Sequence, residues 1–298
     1  MRRALAIAAV LSVATGLGAI GRSRISHAEG SSGRRRHHHL ATTQAATNAK
    51  SSTTSLAAAA GGAGDADADG LDDETELALA KEYFPYFSID PREDCSRQHG
   101  VLFRMTPHPD DPTKIAIWYV VLYEKDCGLR GLGSHEGDDE AFGELIDPKV
   151  PAPAGILAIR AISHQDTTCE RVSTCGTLPG CGTCDTAVRS NRLYPVVYSS
   201  FHKHGNYAGL ATCNSWLCDF HGCGLSGAPD EPTFVNAGEP DHPLVRDLTA
   251  AGFVTPATGW SEPSLMHFDP WSEHKFGHAG NVTDDLLDEA FLISPSGC

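Results

Sequence analysis

The 298-residue sequence has no G-x-S-x-G elbow, no H-E-x-x-H pair and no cysteine before Cys95. It also lacks an internal repeat with a period of roughly 20–50 residues, which disfavours solenoids and propellers. The missing elbow and zincin motif leave the commonest serine-hydrolase and metalloprotease chemistries without their signatures. His135-Glu136 is followed by Gly-Asp-Asp, and His274 and His278 have the right separation but no Glu after His274. No apolar run is comfortably long enough to span a bilayer. The longest, Ala4 to Ile20, is rich in Ala and Gly, follows Arg2 and Arg3, and leads to Ser26-His27-Ala28. That pattern reads as a secretory signal peptide over residues 1–28 rather than a transmembrane anchor, and predicts export to the periplasm or the medium.

Positive charge is scarce where the fold is expected. Eight of the 23 Lys and Arg residues, but only one of the 38 acids, fall before residue 61. The remainder sets 15 basic side chains against 37 acidic ones, a net charge of −22. Such a surface repels nucleic acid and attracts cations. Residues 29–64 are rich in Ser, Thr, Ala and Gly, with a basic patch from Arg34 to His39 that includes three consecutive histidines. They bury too little to fold and read as a disordered linker.

What is present begins with cysteine. Ten lie between Cys95 and Cys298, and an even count in an exported chain predicts disulfides whose pairing the sequence leaves open. Cys181-Gly-Thr-Cys184 has zinc-ligand spacing, but no second C-x-x-C follows it.

The expected domain, residues 65–298, opens with Asp65-Ala-Asp67-Ala-Asp69-Gly70, and Glu76 follows six residues after the glycine. This is the calcium-loop pattern D-x-D-x-D-G-x5-E. The three aspartates supply oxygens, Gly70 allows the sharp turn, Asp73 stands where a ligand often acts through water, and Glu76 can bind bidentately. The alternative is an acidic linker. A single loop suits a structural clip better than a paired sensor.

Helical spacing predicts a helix over 73–84, ended by Pro85. Strands are expected near 101–105, 115–123, 138–146, 155–163, 194–201, 233–236 and 290–293, with short helices over 244–251 and 284–290. Strands dominate, so the expected fold is mainly β: a single β-sandwich with peripheral short helices and disulfide-tied loops.

After the apolar run Ile115 to Tyr123 comes His135-Glu-Gly-Asp138-Asp-Glu140, an H-x-x-D-x-E motif. In a strand, Asp138 and Glu140 share a face. With His135 and the upstream Asp126 they form a ligand set for a hard divalent cation, Ca2+ or Mg2+ first and Mn2+ next. His164, His202 and His204 also follow expected strands.

The order of these segments, ending in Val197-Tyr198 and His204-Gly-Asn-Tyr207, resembles bacterial relatives of vacuolar protein sorting-associated protein 62. Their segments read approximately H-x-G-D-W-E, S-x-H and S-H-A-N-Y, and the likeness spans residues 65–207. A more distant similarity is to the necrosis- and ethylene-inducing-like secreted cytolysins, with their G-H-R-H-D-W-E signature. The resemblance implies a β-sandwich in which Asp126, His135, Asp138 and Glu140 surround a divalent cation, with His164 and His204 nearby. This chain departs from the pattern at Asp139, where an aromatic is expected, and in a spacing from Asp126 to His135 one residue longer than in the cytolysins.

Three functions follow as expectations. The first is a secreted cation-binding protein that takes a polar ligand, such as a glycan or lipid headgroup, in a metal-containing acidic cleft. The second is a metal-dependent hydrolase with His164 or His204 as general base. The third is an extracellular domain whose cations only hold loops.

Overall fold

The run Ile115 to Tyr123 is buried on both faces of its strand, so its residues need not alternate between apolar and polar. The structure, a computed structural model, describes residues 64–298 except 96–97, 129–130, 132–133, 166, 216–221, 226–231, 247–269 and 272–281. The expected signal peptide, all but the last residue of the expected linker, Cys218, His274 and His278 lie outside the described residues.

The described chain opens with helix α1 (Asp73–Tyr83), close to its expected bounds. Asp72 caps it by accepting the Thr75 N–H. Strand β1 (Tyr86–Ile89) follows directly. A meander then runs through β2 (Gln98–His108), β3 (Asp111–Asp126), β4 (His135–Ile146), β5 (Ile156–Ser163) and β6 (Arg171–Gly176). The hairpin β7 (Thr186–Arg189) and β8 (Arg192–Ser199) leads to the two-residue β9 (Asn206–Tyr207) and one helical turn, α2 (Leu210–Cys213). Last come β10 (Phe234–Asn236), the small pair β11 (Gly238–Glu239) and β12 (His242–Pro243), and α3 (Val282–Leu287).

The strands form a six-stranded sheet in the order β10-β2-β3-β4-β5-β6 and a smaller one in the order β1-β8-β7, with β9 paired to β8. Pairing is antiparallel except for β10 on β2 and β1 on β8. Phe87, Val196 and Val197 of the small sheet share one core with Phe103, Tyr119, Phe142 and α1. A second core covers the other face of the large sheet, where Leu102, Trp118 and Leu122 meet Leu286 and Phe291. The architecture is the expected mainly β sandwich with short peripheral helices. One carboxyl group sits in the first core: Glu144 is 2 % exposed, and neither of its oxygens receives a hydrogen bond. Burial pushes its pKa well above the usual range, against the partial opposition of the Tyr119 hydroxyl and the Arg189 guanidinium.

Three expectations change. Residues 290–293 are not a strand. Asp288 accepts the Ala290 N–H at 2.7 Å and starts a 3-10 turn, Glu289–Phe291, whose Phe291 packs on the large sheet. The helix expected over 284–290 runs over Val282–Leu287 instead. Residues 244–246 of the helix expected over 244–251 are not helical, and the remainder lies outside the described residues.

Disulfides join Cys95 to Cys127, Cys175 to Cys184, Cys181 to Cys298 and Cys213 to Cys223, and Cys169 is also disulfide-bonded. The zinc spacing of Cys181 and Cys184 therefore marks no zinc site, since each sulfur is bonded to a different cysteine. This cross-linking belongs to an oxidising periplasmic or extracellular environment. No helix among the described residues is long and apolar enough to cross a membrane.

Candidate metal centres

The first centre is the acidic loop. Gly70 has φ +97°, a conformation open to glycine at little cost, and it turns the chain back on itself. The Asp73 N–H donates to the Gly64 carbonyl at 2.8 Å and closes the loop onto the start of α1. Asp65, Asp67 and Asp73 offer oxygens within 4.8 Å of one another, and so do Asp67, Asp69 and Glu76. Some of these oxygens hold the loop: Asp65 Oδ2 accepts from Gly70, Asp69 Oδ1 from Leu71, Asp73 Oδ1 from Ala66 and Glu76 Oε2 from the Asn236 amide.

Four others have a different status. Asp65 Oδ1, Asp67 Oδ1, Asp69 Oδ2 and Glu76 Oε1 are buried and accept no hydrogen bond. Asp67 is 2 % exposed and Glu76 is fully buried. Burial, reinforced by the mutual repulsion of the acids, pushes Glu76 to about 9 and Asp67 to about 7. Burial also takes Asp69 to about 6. Buried carboxylate oxygens without partners are costly unless protons or a cation neutralise them. Their number and chemistry fit a hard cation.

The second centre lies at the end of the β3–β4 hairpin. Asp126 pairs directly with His135, and Tyr123 with Asp138. By alternation these two pairs belong to opposite faces. Between His135 and Asp138, Gly137 adopts φ +70°, and ligand atoms of Asp126, His135 and Asp138 come within 4.8 Å of one another. His135 Nδ1 lies 2.9 Å from the Gly137 carbonyl, which turns Nε2 toward Asp126 Oδ2 at 3.4 Å. That arrangement leaves a ring nitrogen aimed where a cation would sit.

Glu140 is outside this close trio. It faces the same side as Asp138, two residues further along β4. Burial, then repulsion from Asp138, Asp285 and Asp139, raises its pKa well above the usual range. Asp139 has the opposite parity. It faces Asp285 of α3, and burial followed by that carboxyl raises it as well. His164 follows β5 at φ +57° and is not part of the trio.

Two groups at this centre escaped the sequence reading. The Lys203 ammonium donates to Asp126 Oδ2, the same oxygen that faces His135. Burial raises the Asp126 pKa, but His135 and Lys203 together outweigh it and the group ends below its ordinary value. Glu93 Oε2 lies 3.5 Å from His204 Nε2, while His204 Nδ1 is 2.8 Å from Asp138 Oδ2. His204 is fully buried and stacked on Tyr123 with ring centroids 4.0 Å apart. Burial lowers its pKa, yet the two carboxylates reverse the balance and raise it to about 9. His204 thus stands between two carboxylates, with Nδ1 in hydrogen-bond range of Asp138 and Nε2 facing Glu93 beyond ordinary hydrogen-bond geometry.

The fold and these clusters define a disulfide-tied β-sandwich with acidic clusters able to hold metal ions. No family model matches the chain, and no curated protein matches it. The resemblance to relatives of vacuolar protein sorting-associated protein 62 gains no support from them. A solved structure described as "Toxin fold for microbial attack and plant defense" aligns with 15 % identity and a TM-score of 0.29, over 55 % of this chain and 74 % of its own. A likeness this distant carries no argument about fold or function.

Proposed function

We propose that this is an exported divalent-cation-binding protein that takes a polar ligand, a glycan or lipid headgroup, at its acidic surface. The observation that carries the cation reading is the set of four buried, partnerless oxygens on Asp65, Asp67, Asp69 and Glu76. Calcium is the ion that suits a flexible all-oxygen loop of this kind. Its role there is to hold the loop against the sheet through Glu76 and Asn236.

In this reading a second divalent cation is held by Asp126, His135 and Asp138, with Glu140 behind them. A cation there supplies positive charge that can bridge protein carboxylates to the hydroxyl or phosphate oxygens of a ligand. The chain's own residues orient the site: Gly137 aims His135, and Glu93 through His204 fixes Asp138. Lys203 occupies part of the same ground, so an incoming ion must displace its ammonium from Asp126.

Metal analysis of the purified protein, followed by calcium titration calorimetry, tests the proposal. About one tightly held calcium is expected at the loop, lost in Glu76→Gln. A protein that purifies without metal and shows no heat with millimolar calcium would refute it.

A further inference from the structure

A cleft of about 920 Å³ opens between β6 and the segment running from β9 through α2, away from the residues named in either cation cluster. Its walls are stapled. Cys175–Cys184 ties β6 to the segment entering β7, and Cys213–Cys223 holds the end of α2. In the cleft stands Asp185, whose Oδ2 accepts both the Tyr198 hydroxyl at 3.2 Å and the Leu210 N–H at 3.1 Å. These two bonds fix the carboxylate plane and leave Oδ1 without a protein partner among the described residues. The side-chain hydroxyls of Thr183, Thr186 and Thr212 also line the cleft and carry no hydrogen bond among the described residues.

The inventory selects a ligand class. An oriented carboxylate oxygen accepts hydrogen bonds strongly, and threonine hydroxyls both donate and accept. Among the described residues the lining contains no Lys, Arg or His to compensate a phosphate, sulfate or carboxylate on the ligand. A single exposed carboxylate among hydroxyls is likewise a poor match for an apolar guest. We propose that this cleft binds a neutral saccharide, with Asp185 Oδ1 accepting from sugar hydroxyls and the threonines completing the contacts. The site goes beyond the cation reading, because none of its groups belongs to either metal cluster.

The test uses the whole protein and four neutral probes: cellohexaose, laminarihexaose, chitohexaose and mannohexaose. Binding is followed by calorimetry and saturation-transfer NMR. At least one probe is expected to bind, and Asp185→Ala to weaken it at least about tenfold, the scale of one hydrogen bond to a charged group. Because Asp185 also steadies Tyr198 and α2, Ala211→Trp serves as a second variant that fills the cleft and leaves the carboxylate in place. It is expected to abolish binding. EDTA should leave the affinity unchanged. Failure of all four probes overturns the proposal, as does stronger binding of a sulfated hexasaccharide. Binding that survives Ala211→Trp but disappears with EDTA moves the ligand to the cation cluster and overturns it as well.

Discussion

The Asn236 amide donates to Glu76 Oε2 at 3.0 Å across 160 residues of sequence, joining the acidic loop to strand β10. Glu76 therefore presents its other oxygen, Oε1, to the loop while its first is held by the large sheet.

This bond predicts how calcium and stability are coupled. Calcium at about 100 times its dissociation constant should add about 2.7 kcal/mol. For a domain of this size that is a melting-temperature rise of roughly 5–10 °C over the chelated protein. Scanning fluorimetry should show the rise vanish in Glu76→Gln and shrink in Asn236→Ala. An equal rise in all three proteins would place the ion elsewhere.

Lys203 predicts a gain from a loss. Its ammonium neutralises Asp126, so Lys203→Met removes an internal competitor for the hairpin cluster. Divalent-cation affinity there, read by titration in a Glu76→Gln background, should rise about tenfold or more, in line with one strong charge-assisted contact. Weaker binding in the variant would mean that Lys203 supports the site.

Glu144 predicts a pH dependence. Its folded pKa is raised above the unfolded value of about 4.3, so the folded protein holds the proton more tightly. Stability from this group is fully present below the unfolded value and is lost as pH rises toward the folded one. Glu144→Gln should therefore be more stable than the parent at pH 8, with a smaller difference at pH 4. Urea titrations at the two pH values measure this, and a penalty at pH 8 would contradict it.

The link from Cys181 to Cys298 spans 117 residues of sequence. Replacing both with serine should cost about 3–5 kcal/mol, the scale for closing so long a loop. The loss should appear in chemical denaturation of the double variant. A change below about 1 kcal/mol would mean the segment is held by its other contacts.

Local spacing made the acidic loop and α1 readable, since every residue involved lies within a dozen positions. The Asp126, His135 and Asp138 group was readable because a hairpin brings its two strands together. Glu93 had no such signal. It reaches His204 because Cys95, two residues on, is bonded to Cys127, the neighbour of Asp126. Lys203 was passed over between two histidines in a turn where His202 and His204 take φ +66° and +56°. The strands β6 and β7 are edge strands with half-exposed patterns, too weak to separate from loop. The apolar run at 290–293 misled for the opposite reason: it is apolar because it seals the large sheet.

The parallel pairing of β1 with β8 sets Tyr86 beside Val196, and the parallel pairing of β10 with β2 sets Phe234 beside Val101. Neither partner can be reached through a hairpin. A chain assembling from its amino end must therefore keep β1 waiting for about a hundred residues and leave the edge of β2 uncovered still longer. The antiparallel meander can form early, but the strand that anchors Glu76 arrives late. The acidic loop thus gains its tie to the sheet only when the sheet closes, and the time before it is when this protein is most exposed to mispairing with its own copies.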